Sequence, residues 1–443
     1  MNEKLMSEES VSKILLKFGI PAIVGFLITA VYNFVDAIFV GGLGTSAMGA
    51  LSVAFPISMI TIGIGLILGS GAASFVSRLL GESDIKQANV MSAIAFWGST
   101  FLGLIAIIPC MIFLEEILRF FGATDTILPF AKEYMYFFIP GSVFNVINIA
   151  LNHLARAEGA NKTSMNTLLI GAVLNIILDP IFIYTFHMGI GGAAIATVIS
   201  QILSTILLLR FFYSSKSIIK ISFRYFRLSK QILFDIVKIG TPNLVVQILS
   251  GVSIGLINSS ALPYGDAAVA AMGIVNRIFA IGSYIIIGFS KGFQPIAGYY
   301  YGAKKYERLK VILRKSLNWT FCFCLLLTII EIVFANPIVS IFTKEANVLQ
   351  IGVHALRVYS IVFPAFGFQT IYIGLFIALG KGRESLILSL GRQGIFLIPI
   401  VLILPTLLGL NGVIYSQPIA DLLTILLTVY FGIRLKKSML SWD

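Results

Sequence analysis

Most of the charge in this chain falls in short gaps between apolar runs, and each run is about as long as a bilayer is thick. A membrane-crossing helix needs roughly 20 predominantly apolar residues. Twelve runs meet that length, at 14–40, 46–75, 89–113, 129–154, 164–186, 192–214, 233–259, 267–293, 312–335, 349–379, 386–408 and 413–434. Only 12% of the 443 residues are Asp, Glu, Lys or Arg, and 58% are apolar even before the 40 glycines are added. A soluble domain carries about twice that density of charge, so water-soluble folds are excluded. The short alternating segments of an outer-membrane barrel are also missing. The pattern predicts an all-α polytopic membrane protein of twelve transmembrane helices. Its longest connection, near 215–232, divides it into two units, 1–221 and 222–443.

The net charge of +12 would suggest nucleic acid in a soluble protein, but its placement gives another reading. With the N-terminus inside, 26 of the 32 Lys and Arg residues fall in or beside inner segments. Arg119, Lys132, Lys344 and Arg357 lie near the outside, and Arg277 and Lys291 fall within the eighth span. This is a strong positive-inside signal, and both chain ends are expected in the cytoplasm. The basic loops then face anionic membrane lipid, with no nucleic-acid partner.

The two halves repeat. Gly19-Ile20-Pro21 is answered by Gly240-Thr241-Pro242 at an offset of 221, and Ala47-Met48-Gly49 by Ala271-Met272-Gly273 at 224. Gly81 answers Gly302, Pro140 answers Pro364, and Ala155…Gly159 answers Ala378…Gly382. Six spans per half give both halves the same orientation, related by an axis along the membrane normal. Parallel repeats of this kind occur in transporters whose bundles rock about a site between them; a duplication kept for packing alone is the other reading. Prolines within spans, Pro21 and Pro180 among them, break the backbone ladder, which a bilayer tolerates where protein or a wet cavity receives the freed groups.

Charge within the hydrocarbon needs a reason. Asp36 in the first span and Asp179 in the fifth both lie, at 1.5 Å per residue, roughly 6–12 Å below the outer surface. Asn175 shares a helix face with Asp179, and Thr197 reaches that depth from the sixth span. Asp36, Asn175, Asp179 and Thr197 therefore form a candidate site for H⁺ or Na⁺; structural hydrogen bonding by either acid is the alternative. The second half shows no such cluster. Asp421 is a candidate there by sign alone. Asn33, Gln247, Asn258, Asn276, Arg277 and Gln369 are candidates to line a cavity or a polar network.

Other chemistry is unsupported. Cys110, Cys322 and Cys324 have no disulfide or metal spacing, and His153, His187 and His354 match no zinc pattern. No phosphate-binding G-x-x-x-x-G-K-[ST] motif occurs, and no nucleophile constellation points to an enzyme. No organic cofactor is expected, and the only metal expected is Na⁺ at the coupling site. The first span reads as a retained helix, not a signal peptide.

Gly19-Ile20-Pro21, Asn33 with Asp36, the Gly-rich second span ending at Gly81, Pro140, Arg156-Ala157-Glu158-Gly159 and Asn175-x-x-x-Asp179-Pro180 appear in order across nearly the whole chain. In these the sequence resembles the bacterial branch of the MATE (multidrug and toxin extrusion) transporters. The resemblance implies a V-shaped pair of six-helix bundles in the bacterial plasma membrane. It implies export of small lipophilic, often cationic compounds by alternating access, driven by inward H⁺ or Na⁺. It also implies a coupling site at Asp36, Asn175, Asp179 and Thr197, with a bend of the first helix around Pro21, in a chain that works as a monomer. A flippase for a lipid-linked precursor is the nearest alternative and should show a strongly cationic cavity. A passive channel is the second.

Overall fold

The structure, a computed structural model, describes residue 6, residues 9–227 and residues 229–439. Helices make up nearly all of it. In the first half they are α1 (Val11–Gly41), α2 (Thr45–Gly81), α3 (Ile85–Ile112), the short α4 (Leu114–Phe120), α5 (Leu128–Ala157), α6 (Asn161–Pro180) and α7 (Gly189–Phe212). The second half holds α8 (Lys230–Ala261), α9 (Asp266–Gly302), α10 (Tyr306–Val333), the short α11 (Ala335–Ser340), α12 (Ala346–Ile361), α13 (Phe363–Ala378), α14 (Gly382–Leu390), α15 (Leu397–Leu408) and α16 (Leu410–Met439). Among the described residues eleven helices are long and apolar enough to cross a membrane, and twelve if the bent pair α12–α13 counts as one span. The start of α1 and the end of α16 lie on one face, where Met6 and Leu435 share a hydrophobic cluster; it is called the terminal face below, and the other is the distal face.

The prolines explain how the spans bend without leaving buried backbone groups unpaired. Between α12 and α13 the tenth span turns by 47°. Pro364 has no N–H for the carbonyl of Ser360, four residues back. The Thr328 hydroxyl donates to that carbonyl instead, at 2.8 Å. Pro405 likewise frees the carbonyl of Val401, and Ser260 Oγ donates to it at 3.2 Å. Neighbouring helices supply the missing donors, as the bilayer interior demands. Several helices outrun the apolar runs on the terminal face. The second run ends at 75 but α2 continues to Gly81, and α9 continues from 293 to Gly302.

The duplication is written in the backbone as well as in the side chains. Left-handed φ values recur at Gly44 (105°) and Gly265 (92°), at Ser83 (62°) and Lys304 (53°), and at Gly159 (93°) and Gly380 (75°). Each pair is 221 residues apart. Such positions are sparse for residues with a Cβ, so three repeats at one offset mark the same turns built twice.

The halves meet crosswise. Helix α1 packs on α9, and α2 packs on both α8 and α9. Reciprocal glycines allow the approach. A Cβ on Gly81 would lie 2.2 Å from the carbonyl oxygen of Tyr299, and one on Gly302 would lie 2.0 Å from that of Arg78. Toward the distal face the contact ends. One face of α8 carries Gly240 against Ile67, Leu244 against Gly63 and Gln247 against Met59 of α2. About one and two turns beyond Gln247, Gly251 and Gly255 have nothing within 4 Å. On α9, Gly292 and Gly288 abut Phe18, Gly19 and Ile23, whereas Gly273 meets nothing. The halves are joined at the terminal face and splayed at the distal one, with a cleft between.

Candidate functional site

Asp36 and Asp179 come together near the distal ends of α1 and α6. Asp179 is fully buried (0% exposed), and its carboxyl lies within hydrogen-bonding reach of that of Asp36. Asn175 Nδ2 donates to Asp179 Oδ1 at 3.2 Å and sits 3.5 Å from Thr197 Oγ1 on α7. Pro180 cannot pair with the carbonyl of Ile176, and the helix widens into a π turn over Ile181–Thr185 just beyond the acid. Such turns are frequent at functional sites.

Three buried oxygens there have no donor: Asp36 Oδ1, Asp179 Oδ2 and Asn175 Oδ1. Buried acceptors without donors are costly, and a proton or a small hard cation supplies what they lack. The donor set of two carboxylates, an amide and a hydroxyl is all oxygen, which suits H⁺ or Na⁺ and not a soft metal. No group of three or more His, Cys, Asp or Glu able to hold a metal occurs among the described residues. Two neighbours escaped the sequence reading. Tyr32, one turn before Asp36, and the buried Tyr134 on α5 lie within electrostatic reach of both acids. Tyrosines among many aromatics give no sequence signal of their own.

The second half is not empty of charge. Asp421 is 1% exposed and accepts from Arg392 Nε at 2.8 Å and Gln417 Nε2 at 2.8 Å. The Arg392 guanidinium also sits over the Phe366 ring, 4.5 Å from its centre. Arg392, one of the 26 bases expected in or beside inner segments, therefore does not belong to that group. It lies inside the eleventh span, in a second π turn over Gly391–Ile395, so one fewer base belongs to the terminal face. Arg392→Met is expected to destabilise the protein by about 3–5 kcal/mol, because it strands a buried carboxylate. Combining it with Asp421→Leu should restore most of that loss, and thermal unfolding of the three variants checks both.

The remaining candidates disperse. Gln369 is buried inside the second bundle and donates to the carbonyl of Leu388 at 3.3 Å, so it does not line the cleft. Asn258 and Asn276 each keep a buried polar atom without a partner. Asn33 is exposed and donates to the Thr29 carbonyl at 2.8 Å. Gln247 faces Met59 across the cleft, its Nε2 3.6 Å from the sulfur. Arg277 is exposed on α9, on the helix face of Gly288, which abuts α1 eleven residues further on. That register directs Arg277 into the cleft.

A family profile described as MatE matches the chain twice, over residues 21–181 and 242–403. The chain belongs to the MATE family. The two matches start 221 residues apart, the offset of the backbone repeat. The chain is 30% identical over 415 residues to the multidrug export protein MepA of Staphylococcus saprophyticus, covering 94% of this chain and 92% of that one. It is 30% identical over 415 residues to MepA of Staphylococcus aureus strain MSSA476, covering 93% and 91%. A solved MATE family transporter in an outward-facing conformation superposes with a TM-score of 0.93 at 26% identity, covering 100% of this chain and 99% of that one. This MATE chain is thus a multi-pass transporter of the bacterial plasma membrane and not an enzyme.

One more carboxylate of this MATE chain is deeply placed. Glu158 ends α5 on the terminal face and is 5% exposed. It accepts from the backbone N–H of Ile218 (2.9 Å) and Ile219 (3.2 Å) and from the Ser217 hydroxyl (3.0 Å). It thereby clamps the segment that joins the halves, helped by Lys220 N–H donating to Asn89 Oδ1 at 2.7 Å. Burial pushes the Glu158 carboxyl up to about 7, and the donors from Ile219, Ile218 and Ser217 only partly oppose it. A carboxyl raised in the folded state favours folding while neutral. That contribution is complete below about 4.5 and is lost as pH rises through about 7, a change of about 3 kcal/mol. Amide exchange at 217–221, corrected for intrinsic rates, is expected to speed up as pH rises from about 4.5 to about 7 and to level off above that. In Glu158→Gln the corrected rates should stay flat.

Proposed function

We propose that this transporter exports lipophilic, often cationic compounds from the cell in exchange for H⁺ or Na⁺, with the terminal face cytoplasmic and the units 1–221 and 222–443 rocking about the cleft. The observation that carries this reading is the set of three undonated oxygens at Asp36, Asn175 and Asp179, placed toward the face on which the cleft is open. The multidrug export role of the MepA relatives supports it. A cation entering from the distal side neutralises the paired acids. A cationic compound in the cleft then loses their attraction, and reciprocity requires ion and compound to weaken each other's binding.

Pro21 is placed to convert loading into movement. Helix α1 runs unbroken through it, and Gly19 and Ile23 on either side form the crossing with α9. A bend at Pro21, where one backbone hydrogen bond is already absent, would alter the joint between the halves directly.

Purified protein in vesicles should expel an ethidium-like dye under an inward H⁺ gradient, an inward Na⁺ gradient, or both. Equal dye flux with and without gradients would indicate a channel, and no flux under either would overturn export of this substrate class. The exposed Arg277 in the cleft favours a second reading, transport of anionic amphiphiles, which an anionic dye in the same assay distinguishes.

A further inference from the structure

At the terminal-face joint a small cavity lies between α2, α5, α9 and α13, lined by Ser70, Ser74, His153, Arg156, Lys291 and Gln294 among others. Its polar lining is unusual in sign. Arg156 and His153 are 8% and 7% exposed, and no carboxylate reaches the cavity wall. The charges acting on His153 are those of Arg156 and Lys291, and the charge acting on Lys291 is that of Arg156. Their hydrogen bonds go to neutral groups: Arg156 Nη1 donates to Ser164 Oγ at 3.0 Å, and Lys291 Nζ to Asn243 Oδ1 at 2.6 Å. Nearby Arg78 differs, since Glu82 and Asp235 lie within its electrostatic reach.

Two basic side chains and a histidine, gathered in a low-dielectric joint without an acid, repel one another unless a negative charge joins them. They come from opposite halves, His153 and Arg156 on α5 and Lys291 on α9, so closing the terminal face is what brings them together. The cavity, about 20 Å³, has room for a body the size of a water or a halide.

We propose that this cavity is a binding site for a small monovalent anion of chloride size, which bridges Arg156 and Lys291 and latches the two halves together at the terminal face. The anion neutralises the pair in the joined state and leaves when the halves part there, so the joined state is favoured by chloride. This role is separate from the cation site near the distal ends of α1 and α6, none of whose residues lines the cavity. It holds whether or not the exported compound is a drug.

Thermal unfolding of the full chain in sodium chloride and in sodium gluconate at equal ionic strength tests it. Chloride should raise the midpoint by about 3 °C, saturating with concentration, and gluconate, too large for the cavity, should not. Lys291→Met should melt alike in both salts. Crystals of the unaltered protein soaked in bromide should show an anomalous peak between Arg156 and Lys291, which needs no variant to fold. Equal melting of the unaltered protein in both salts, a full chloride shift in Lys291→Met, or an empty cavity in the bromide map would each overturn the proposal.

Discussion

In Asp179→Asn, ion-driven efflux is expected to fall to the level of empty vesicles, while the protein unfolds within about 1 kcal/mol of the unaltered chain. The substitution is nearly isosteric. The new carboxamide oxygen still accepts from Asn175 Nδ2, which lies 3.2 Å from the present Oδ1. Its amide group can donate toward Asp36 Oδ1, an oxygen that now has no donor. The site would be fixed in the state that a bound proton creates, satisfied but unable to titrate. Removing one of two like charges also relieves their repulsion, so stability should hold or rise as transport is lost. Asp179→Leu offers the contrast: it leaves Asn175 and Asp36 unpaired and should cost about 1–3 kcal/mol. Asp36→Asn should copy the transport defect, and the double variant should be no worse than either, because members of one coupled unit do not add. Gradient-driven efflux that survives in Asp179→Asn would remove these residues from the coupling site.

Much of this arrangement is legible in the residues alone. Depth in the membrane follows from counting along a helix, so Asp36, Asn175, Asp179 and Thr197 could be grouped before any coordinates, and they do lie together. Repeats survive as glycines and prolines because close crossings and turns tolerate little else; Gly81 and Gly302 could be paired from sequence, and they press on equivalent carbonyls. Rotation about a helix is harder to read, because these spans are apolar on nearly every side. Gln369 and Gln247 look alike in sequence, yet one points into its bundle and the other across the cleft. Arg392 was misplaced because it stands a short way into a span next to a basic loop, and only the opposing Asp421 on another helix reveals its depth. The cationic cavity is invisible for the same reason: His153, Arg156 and Lys291 are more than 130 residues apart at the extreme and converge only when the halves join.

The splay between the halves makes the glycines of α8 a graded test of alternating access. A Cβ on Gly240 would stand 2.0 Å from the carbonyl oxygen of Ile67 and 2.7 Å from its carbon. These are backbone atoms of α2 and cannot swing aside, so in Gly240→Ala the two helices must separate. Overpacking of this sort costs about 1–3 kcal/mol, but only in the state with the terminal face joined. A state with that face open feels no clash. Its population relative to the joined state should therefore rise roughly 5- to 150-fold. Gly71→Ala on α2, whose Cβ would meet the Ile236 carbonyl at 2.1 Å, should act in the same direction. Gly251→Ala and Gly255→Ala lie on the same helix as Gly240 but meet nothing within 4 Å. They should leave the equilibrium alone and gain up to about 1 kcal/mol of helix propensity. Thiol labelling reads the difference in a chain cleared of its three cysteines. A cysteine replacing Ser77, buried at the joint, should label faster in the Gly240→Ala background. One replacing Gln247, exposed at the cleft, should label more slowly there. If the clashing and the open glycines shift labelling alike, the joint at the terminal face is not the gate, and the cleft opens by some movement other than parting of α2 from α8.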